Sequence, residues 1–192
     1  MATVRHYSPS DKDAIIDVFR DASRSLKKSE GGSHPDGFID RQLSAPDGEI
    51  LRNLLYSNEL GVAESDGKIV GIGGITNRLK NRIIGSTYSC NHYVRKAYQG
   101  AGIGSMLKKW SIGRAKELGF RKIYGYSTPE AVAFNKKHGA VFFPEFDQKR
   151  GGSEVVVHYY EIELKKSFLN GLKLEPYISE LSSVSRMLKN KR

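Results

Sequence analysis

Apolar residues alternate in some stretches of the chain and recur every three or four positions in others, and these two periods mark out its elements. Residues 3–7 alternate as a short strand. Ser8-Pro9-Ser10-Asp11 then offers capping residues, and Ala14, Ile15, Val18, Phe19 and Ala22 recur at helical spacing. Residues 27–47 are rich in Gly, Ser, Pro and Asp, with Phe38, Ile39 and Leu43 as their few apolar anchors, which predicts a long loop or a broken helix. Residues 47–56 place Ile50, Leu51, Leu54 and Leu55 on one helical face. Residues 60–64 and 68–76 flank Ser65-Asp66-Gly67 and read as a β-hairpin, with Gly67 supplying a positive φ. Residues 88–94 continue the β pattern. Ile103, Met106, Leu107, Trp110, Ile112 and Ala115 mark a helix over 102–118, ended by Gly119. A strand at 122–127 follows, then a helix at 129–138 with Pro129 in its first turn, and a long Val- and Tyr-rich strand at 155–164. Strands come first as a meander and then alternate with helices, which predicts an α/β or α+β sandwich with a mixed sheet.

The last segment is separable. Tyr177, Leu181, Val184 and Leu188 recur at helical spacing after Pro176, predicting a basic amphipathic helix that packs on the domain or on a second copy. Contact with an anionic membrane or nucleic acid is the alternative. A chain of 192 residues suits one core rather than two. The single Cys90 excludes an internal disulfide and a multi-cysteine zinc site, and the histidines show no H-x-x-x-H spacing, so no metal is expected. No apolar run approaches the roughly eighteen residues that span a bilayer, and the N-terminus lacks a signal-peptide core, so a soluble, cytoplasmic protein is expected. The net charge of +10 suggests an anionic partner. It is concentrated in two places: residues 95–122 hold eight Lys and Arg against Glu117 alone, and residues 165–192 hold seven against Glu175 and Glu180.

The first basic segment carries the chemistry. In Val94-Arg95-Lys96-Ala97-Tyr98-Gln99-Gly100-Ala101-Gly102-Ile103-Gly104-Ser105 a strand ends, glycines recur at alternate positions and an amphipathic helix begins. Glycines let a backbone approach an anion, and the unpaired N–H groups of a helical first turn point at it with the positive end of the helix dipole. A phosphate group is the expected ligand. A P-loop would require G-x-x-x-x-G-K-[ST], which is missing. In a dinucleotide fold the third glycine would come one position later than Gly104, and an acid would stand where Tyr124 does. The bland alternative is a strand-to-helix turn whose glycines serve packing alone.

Gln99-x-x-Gly102-x-Gly104 resembles the Q/R-x-x-G-x-G/A signature of the GNAT superfamily of acyl-CoA-dependent N-acyltransferases. The order of predicted elements over residues 1–165 matches that fold as well, with residues 166–192 outside it. The resemblance implies a mixed, mostly antiparallel sheet flanked by helices, with a basic C-terminal helical extension. It implies acetyl-CoA as donor cosubstrate and a primary amine on an acceptor of unknown identity. Gln99, Gly100, Ala101, Gly102, Ile103, Gly104 and Ser105 would bind the diphosphate, Val94 would pair with the pantetheine arm, and the backbone N–H of His92 would meet the thioester oxygen.

Phe134-Asn135-Lys136-Lys137-His138-Gly139-Ala140 resembles the family's second block with two departures: Asn135 replaces the Tyr that protonates the leaving thiolate, and Ala140 replaces a Phe. An amide is no acid. The position where the family often carries a Glu as general base holds Tyr88. Strand alternation would set Tyr88, Cys90 and His92 on one face, unless a bulge re-aims the last, and His92 is the leading side chain for a proton relay. Lesser candidates are Cys90 as a nucleophile, Glu64 as a remote base, His158, Tyr159 and Tyr160 beside the acceptor, and Asp36 and Asp40 as ammonium-binding loop acids. Two other functions remain open at this level: an acyl-CoA-binding domain without turnover, and a nucleic-acid-binding or nucleic-acid-modifying protein that uses the basic tail. The second is disfavoured because the cofactor's phosphates already account for the charge at 95–122. The tail is also the candidate surface for a homodimer.

Overall fold

The computed structural model describes residues 2–149 and 155–164. The expected helix within 166–192, the domain boundary before it and its role in dimerisation therefore lie outside the described residues. The chain opens with β1 (Thr3–His6), whose Arg5 forks onto Asp11 at 2.7 and 2.9 Å. Asp11 also accepts from the Ser8 N–H at 2.7 Å and is buried, so one carboxylate ties the first strand to the turn that starts α1 (Lys12–Arg24). The arginine hydrogen bonds hold the Asp11 carboxyl below its usual range. The predicted loop or broken helix contains α2 (Asp36–Leu43) and is followed by α3 (Asp47–Leu54).

Next come β2 (Glu59–Ser65) and β3 (Lys68–Ile75), joined by a hairpin in which Asp66 (φ 50°) and Gly67 (φ 71°) are both left-handed, as a type I′ turn requires. A helix absent from the sequence reading, α4 (Leu79–Ile84), precedes β4 (Ser86–Val94). Its Ile83 and Ile84 are 73% and 55% exposed, so there was no apolar face to read; the buried Asn81 anchors it instead, donating to the Ser86 carbonyl at 3.2 Å.

The signature helix is α5 (Ile103–Glu117). It ends in a Schellman motif in which the N–H groups of Gly119 and Phe120 donate to the Lys116 and Ala115 carbonyls at 2.9 and 3.0 Å. The remaining elements are β5 (Lys122–Ser127), α6 (Val132–Lys137), β6 (Val141–Phe142), β7 (Gln148–Lys149) and β8 (Val156–Glu163). The two-residue strands β6 and β7 are too short to show a period.

The strands form one sheet in the order β1-β2-β3-β4-β5-β8-β6, with β7 paired to β8. Every pairing is antiparallel except β4 with β5. This is the mixed, mostly antiparallel sheet flanked by helices that the sequence predicts. On one face Ile15, Ile16 and Val18 of α1 pack with Ile50 and Leu54 of α3 over Leu60, Val62 and Ile72. On the other lies α5, and there the strands offer glycines. A Cβ built on Gly61 would lie 2.7 Å from the Trp110 ring, one on Gly71 2.9 Å from Leu107, and one on Gly73 2.8 Å from His92. The missing side chains let α5 lie close against the sheet. No helix among the described residues is long and apolar enough to cross a membrane.

A Gly71→Ala substitution should therefore destabilise the fold by about 1–3 kcal/mol in urea unfolding, because its methyl would also meet the Tyr93 carbonyl at 3.1 Å and the backbone cannot yield as a rotamer can.

Candidate active site

The ladder between β4 and β5 is short. It comprises Ser86↔Lys122, Thr87↔Ile123 and Tyr88↔Tyr124, and it stops there, whereas β4 runs on to Val94 and β5 to Ser127. Two parallel strands that begin paired and then separate leave a wedge-shaped gap, bordered on one side by a β4 edge with no ladder partner.

A bulge lies within that free stretch of β4. On β3, Ile72 and Gly74 are two residues apart, while their partners Tyr93 and Cys90 are three apart, so β4 carries one extra residue. Asn91 takes the strain at φ 57°, in the left-handed region that Asn tolerates better than most residues. Its amide donates to the Leu54 carbonyl at 2.8 Å and to the Asn53 carbonyl at 3.4 Å, which pins the bulge to the end of α3. The bulge re-aims His92. Cys90 keeps the face it shares with Gly74, while the His92 imidazole passes to the opposite face, beneath Gly73 and beside Leu107.

His92 Nε2 lies 3.3 Å from Ser111 Oγ on α5, and its ring also hydrogen-bonds to the Cys90 backbone. Burial, aided by the nearby Lys108, pushes its pKa down to about 3, so the ring is neutral. Burial pushes the Cys90 thiol up to about 12, leaving it protonated and a weak nucleophile at neutral pH.

The glycine-rich bend sits at the mouth of the gap. Gln99 Nε2 donates to the Val94 carbonyl at 3.0 Å and closes the turn. Gly100 (φ 79°) and Gly102 (φ 83°) are left-handed, and a Cβ on either would meet nothing within 4 Å; conformation rather than space calls for glycine there. Gly102 is the N-cap of α5, and no side chain caps the helix. The first-turn N–H groups of Ile103, Gly104 and Ser105 are thus available to an anion, with the dipole behind them. Ser105 Oγ is 3.1 Å from Nε2 of His138, and Gly104 lies against Phe134, so the end of α6 is tied to this turn. Asn135, 6% exposed, donates to Ser127 Oγ and to the Ala131 carbonyl, both at 3.1 Å.

Sequence reasoning missed two features of the gap. The first is Lys108, one turn beyond Gly104 on the buried face of α5 and 1% exposed. Its Nζ donates to the Tyr160 hydroxyl at 2.8 Å and to Ser89 Oγ at 3.3 Å. Burial lowers its pKa to about 7, and no carboxylate offsets that among the described residues. A lysine in line with Ile103, Leu107, Ser111 and Ala115 was a legible signal.

The second is an aromatic wall on the face away from α5. The Tyr88 and Tyr124 rings are 5.5 Å apart, Tyr124 and Tyr159 6.4 Å, Tyr126 and Tyr159 5.5 Å, and Phe146 and Tyr159 5.4 Å. A cavity of about 460 Å³ opens beside it, lined by Tyr126, Phe146, Tyr159, Glu145 and Glu161. Tyr159 donates to Glu161 at 2.8 Å, and Glu161 also receives Lys122 at 2.6 Å. A larger cavity of about 720 Å³, lined by residues that include Arg5, Asp11, Lys68, Arg95 and Tyr98, contains none of the gap residues.

The lesser candidates fall elsewhere. Glu64 pairs with Arg5 at 3.1 Å at the far end of β2, Asp40 pairs with Lys27 at 2.6 Å, and Asp36 accepts the Ser29 N–H at 3.2 Å. His158 is turned onto Asp147 at 2.8 Å, and Tyr160 is buried against Lys108. No group of three or more His, Cys, Asp or Glu that could hold a metal occurs among the described residues.

Residues 56–139 match the family model described as the acetyltransferase (GNAT) domain. The fold is similar to that of the PaiA N-acetyltransferase from Thermoplasma acidophilum in complex with coenzyme A, with 16% identity, a TM-score of 0.64, and 85% of this chain and 99% of that chain covered. It is also similar to a phosphinothricin acetyltransferase from Sinorhizobium meliloti in complex with acetyl-CoA (19% identity, TM-score 0.65, 90% and 95% covered). The ribosomal-protein-S18-alanine N-acetyltransferase of Escherichia coli shares the fold as well (12%, 0.62, 90% and 99%). No curated protein matches the chain by sequence.

Two measurements test this geometry. Asn91→Ala should cost about 1–3 kcal/mol in urea unfolding, since it leaves the Leu54 carbonyl without its donor and strains the backbone, while Asn91→Gly, which relieves the strain, should cost less. Lys108 titrates near 10.5 when unfolded and near 7 in the fold, so between those values the unfolded chain binds more protons and stability rises with pH. Thermal melts from pH 7 to 10 should show that rise. Lys108→Met should remove it and be the more stable protein at pH 7 by a few kcal/mol.

Proposed function

We propose that the chain, whose residues 56–139 match the acetyltransferase (GNAT) domain, transfers the acetyl group of acetyl-CoA to a primary amine by direct attack on the thioester. One observation carries the assignment of the donor site: the uncapped start of α5, with Gly100 and Gly102 left-handed, stands at the mouth of a gap whose β4 edge has no ladder partner. The diphosphate sits on the N–H groups of Ile103, Gly104 and Ser105, in the field of Arg95, Lys96 and Lys109. The pantetheine arm lies along β4 from Val94 inward as an added strand would, exchanging amide hydrogen bonds with the free edge.

The bulge serves the chemistry by turning the backbone at 91–92, so that the His92 N–H meets the thioester oxygen where negative charge develops. The neutral His92 ring is a positioning group, holding the bulge through Cys90 and Ser111. The acceptor reaches the thioester from the opposite side, over the tyrosine wall. Ring faces attract an ammonium group, and Glu145 adds a negative charge beside it. Tyr88 offers no carboxylate, and Asn135 no phenol, where the family often has them, so the acceptor sheds its proton to water. The free Cys90 fits a reducing, cytoplasmic setting.

Calorimetry with coenzyme A, followed by thiol release from acetyl-CoA over a panel of amines, tests the reading directly. Binding without transfer to any amine would reject turnover, and no binding would reject the donor site. In Gly102→Val a β-branched residue is forced to φ 83°, at a strain of roughly 1–2 kcal/mol, and the N–H groups of the α5 first turn are displaced. Coenzyme A affinity should fall about ten-fold or more; an unchanged affinity would remove the bend from the site.

A further inference from the structure

Lys108 is a side chain the mechanism above does not use, and its place in the fold is specific. It belongs to α5, the helix whose first turn is assigned to the donor's phosphates, and it points to the apex of the gap. Its partner Ser89 is the first β4 residue beyond the last rung to β5, and its partner Tyr160 is paired with Gly125, the first β5 residue beyond that rung. Gly125 has no side chain, and a Cβ there would lie 2.8 Å from the Tyr160 hydroxyl, so the hydroxyl and the ammonium group meet at the point where the strands part. From Val94 the free edge of β4 runs inward to the bulge at 91–92, where the thioester is placed, and Lys108 lies within electrostatic reach of the His92 ring there. The proton donor the family often carries is replaced by Asn135, whose amide is committed to Ser127 and Ala131.

We infer that Lys108 is the catalytic proton donor to the departing sulfur. The amine lone pair forms the C–N bond to the thioester carbon, the C–S pair leaves on sulfur, and the sulfur takes a proton from the Lys108 ammonium group. The new amide nitrogen loses its extra proton to water, and water returns one to the neutral Lys108. This inference rests on the donor placement proposed above. The groups around Lys108 are Ser89 and His92 from the α5 side of β4, Cys90 from its other side, Tyr160 from β8 and His138 after α6. Cys90 and Tyr160, both pushed up to about 12, stay neutral, His92 is neutral as well, and burial holds His138 below its usual range. Lys108 is thus the group among them that titrates near pH 7. Since the ammonium form is the donor, kcat/KM should fall as pH rises through about 7.

The first test needs no turnover. In the binary complex of Lys108→Arg with coenzyme A, where the cation persists above pH 7, the ultraviolet absorbance of the bound thiolate should titrate about one pH unit or more below that of free coenzyme A. Lys108→Met should show no such displacement. In turnover, Lys108→Met should lower kcat about 100-fold or more, with little change in the KM for acetyl-CoA, and should lose the falling limb. Lys108→Arg, charged but unable to release its proton, should not restore kcat. Should Lys108→Met fail to fold, Tyr160→Phe keeps the ring and removes the acceptor of the ammonium group, and the falling limb should move to lower pH. An unshifted bound thiol in Lys108→Arg, full activity in Lys108→Met or Lys108→Arg, or a limb unmoved in Tyr160→Phe would each overturn the inference. Failure of the wild-type chain to bind coenzyme A would instead overturn the donor site itself.

Discussion

The site depends on one event in the sheet: the parallel ladder between β4 and β5 stops after three rungs. A sheet normally pairs every interior edge, because unpaired backbone groups lose hydrogen bonds. Here the loss is maintained by a bulge that bends β4, and the bulge by the Asn91 amide hooked onto the last carbonyls of α3. The strain is local and its anchor comes from another layer of the fold. Tertiary structure holds open an edge that the two strands alone would close.

Helix α5 unites the rest. Its N-terminus presents unpaired N–H groups to an anion, its buried face rests on glycines of β2 and β3, and from that same face Lys108 and Ser111 reach the β4 bulge. Close packing makes this linkage stiff. With Gly61, Gly71 and Gly73 leaving no spare room, α5 cannot shift without meeting backbone or ring atoms, so its first turn and the β4 bulge keep a fixed separation. The two faces of the gap differ in chemistry accordingly. The α5 side carries cations and N–H groups, and the other carries tyrosine rings and carboxylates. In the proposed function this difference sorts an anionic donor and a cationic acceptor to opposite entrances.

Much of this was legible in the residue pattern. The alternation of 60–76 around Asp66-Gly67, the amphipathic run after Gly102 and the stop at Gly119 reflect local rules, and each reappears as an element with the expected turn chemistry. The glycine-rich bend was readable for the same reason: left-handed glycines and an uncapped helix start are properties of a dozen consecutive residues. By contrast, α4 escaped notice because it is held by Asn81 rather than by an apolar stripe, and β6 and β7 because two residues carry no period.

What the sequence determined by itself was the order of elements, the mixed sheet and the glycine-rich start of α5 that is proposed to grip an anion, since all three follow from neighbours along the chain. What only the tertiary structure decided was which side chains share the gap. Strand alternation set His92 beside Tyr88 and Cys90, until a single extra residue at the bulge moved it to the other face. Lys108 counted as one more positive charge in a basic helix, until burial against Tyr160 and Ser89 removed its water and brought its titration near neutrality. Ionisation and facing depend on what packs around a group from distant parts of the chain, and no local pattern encodes that.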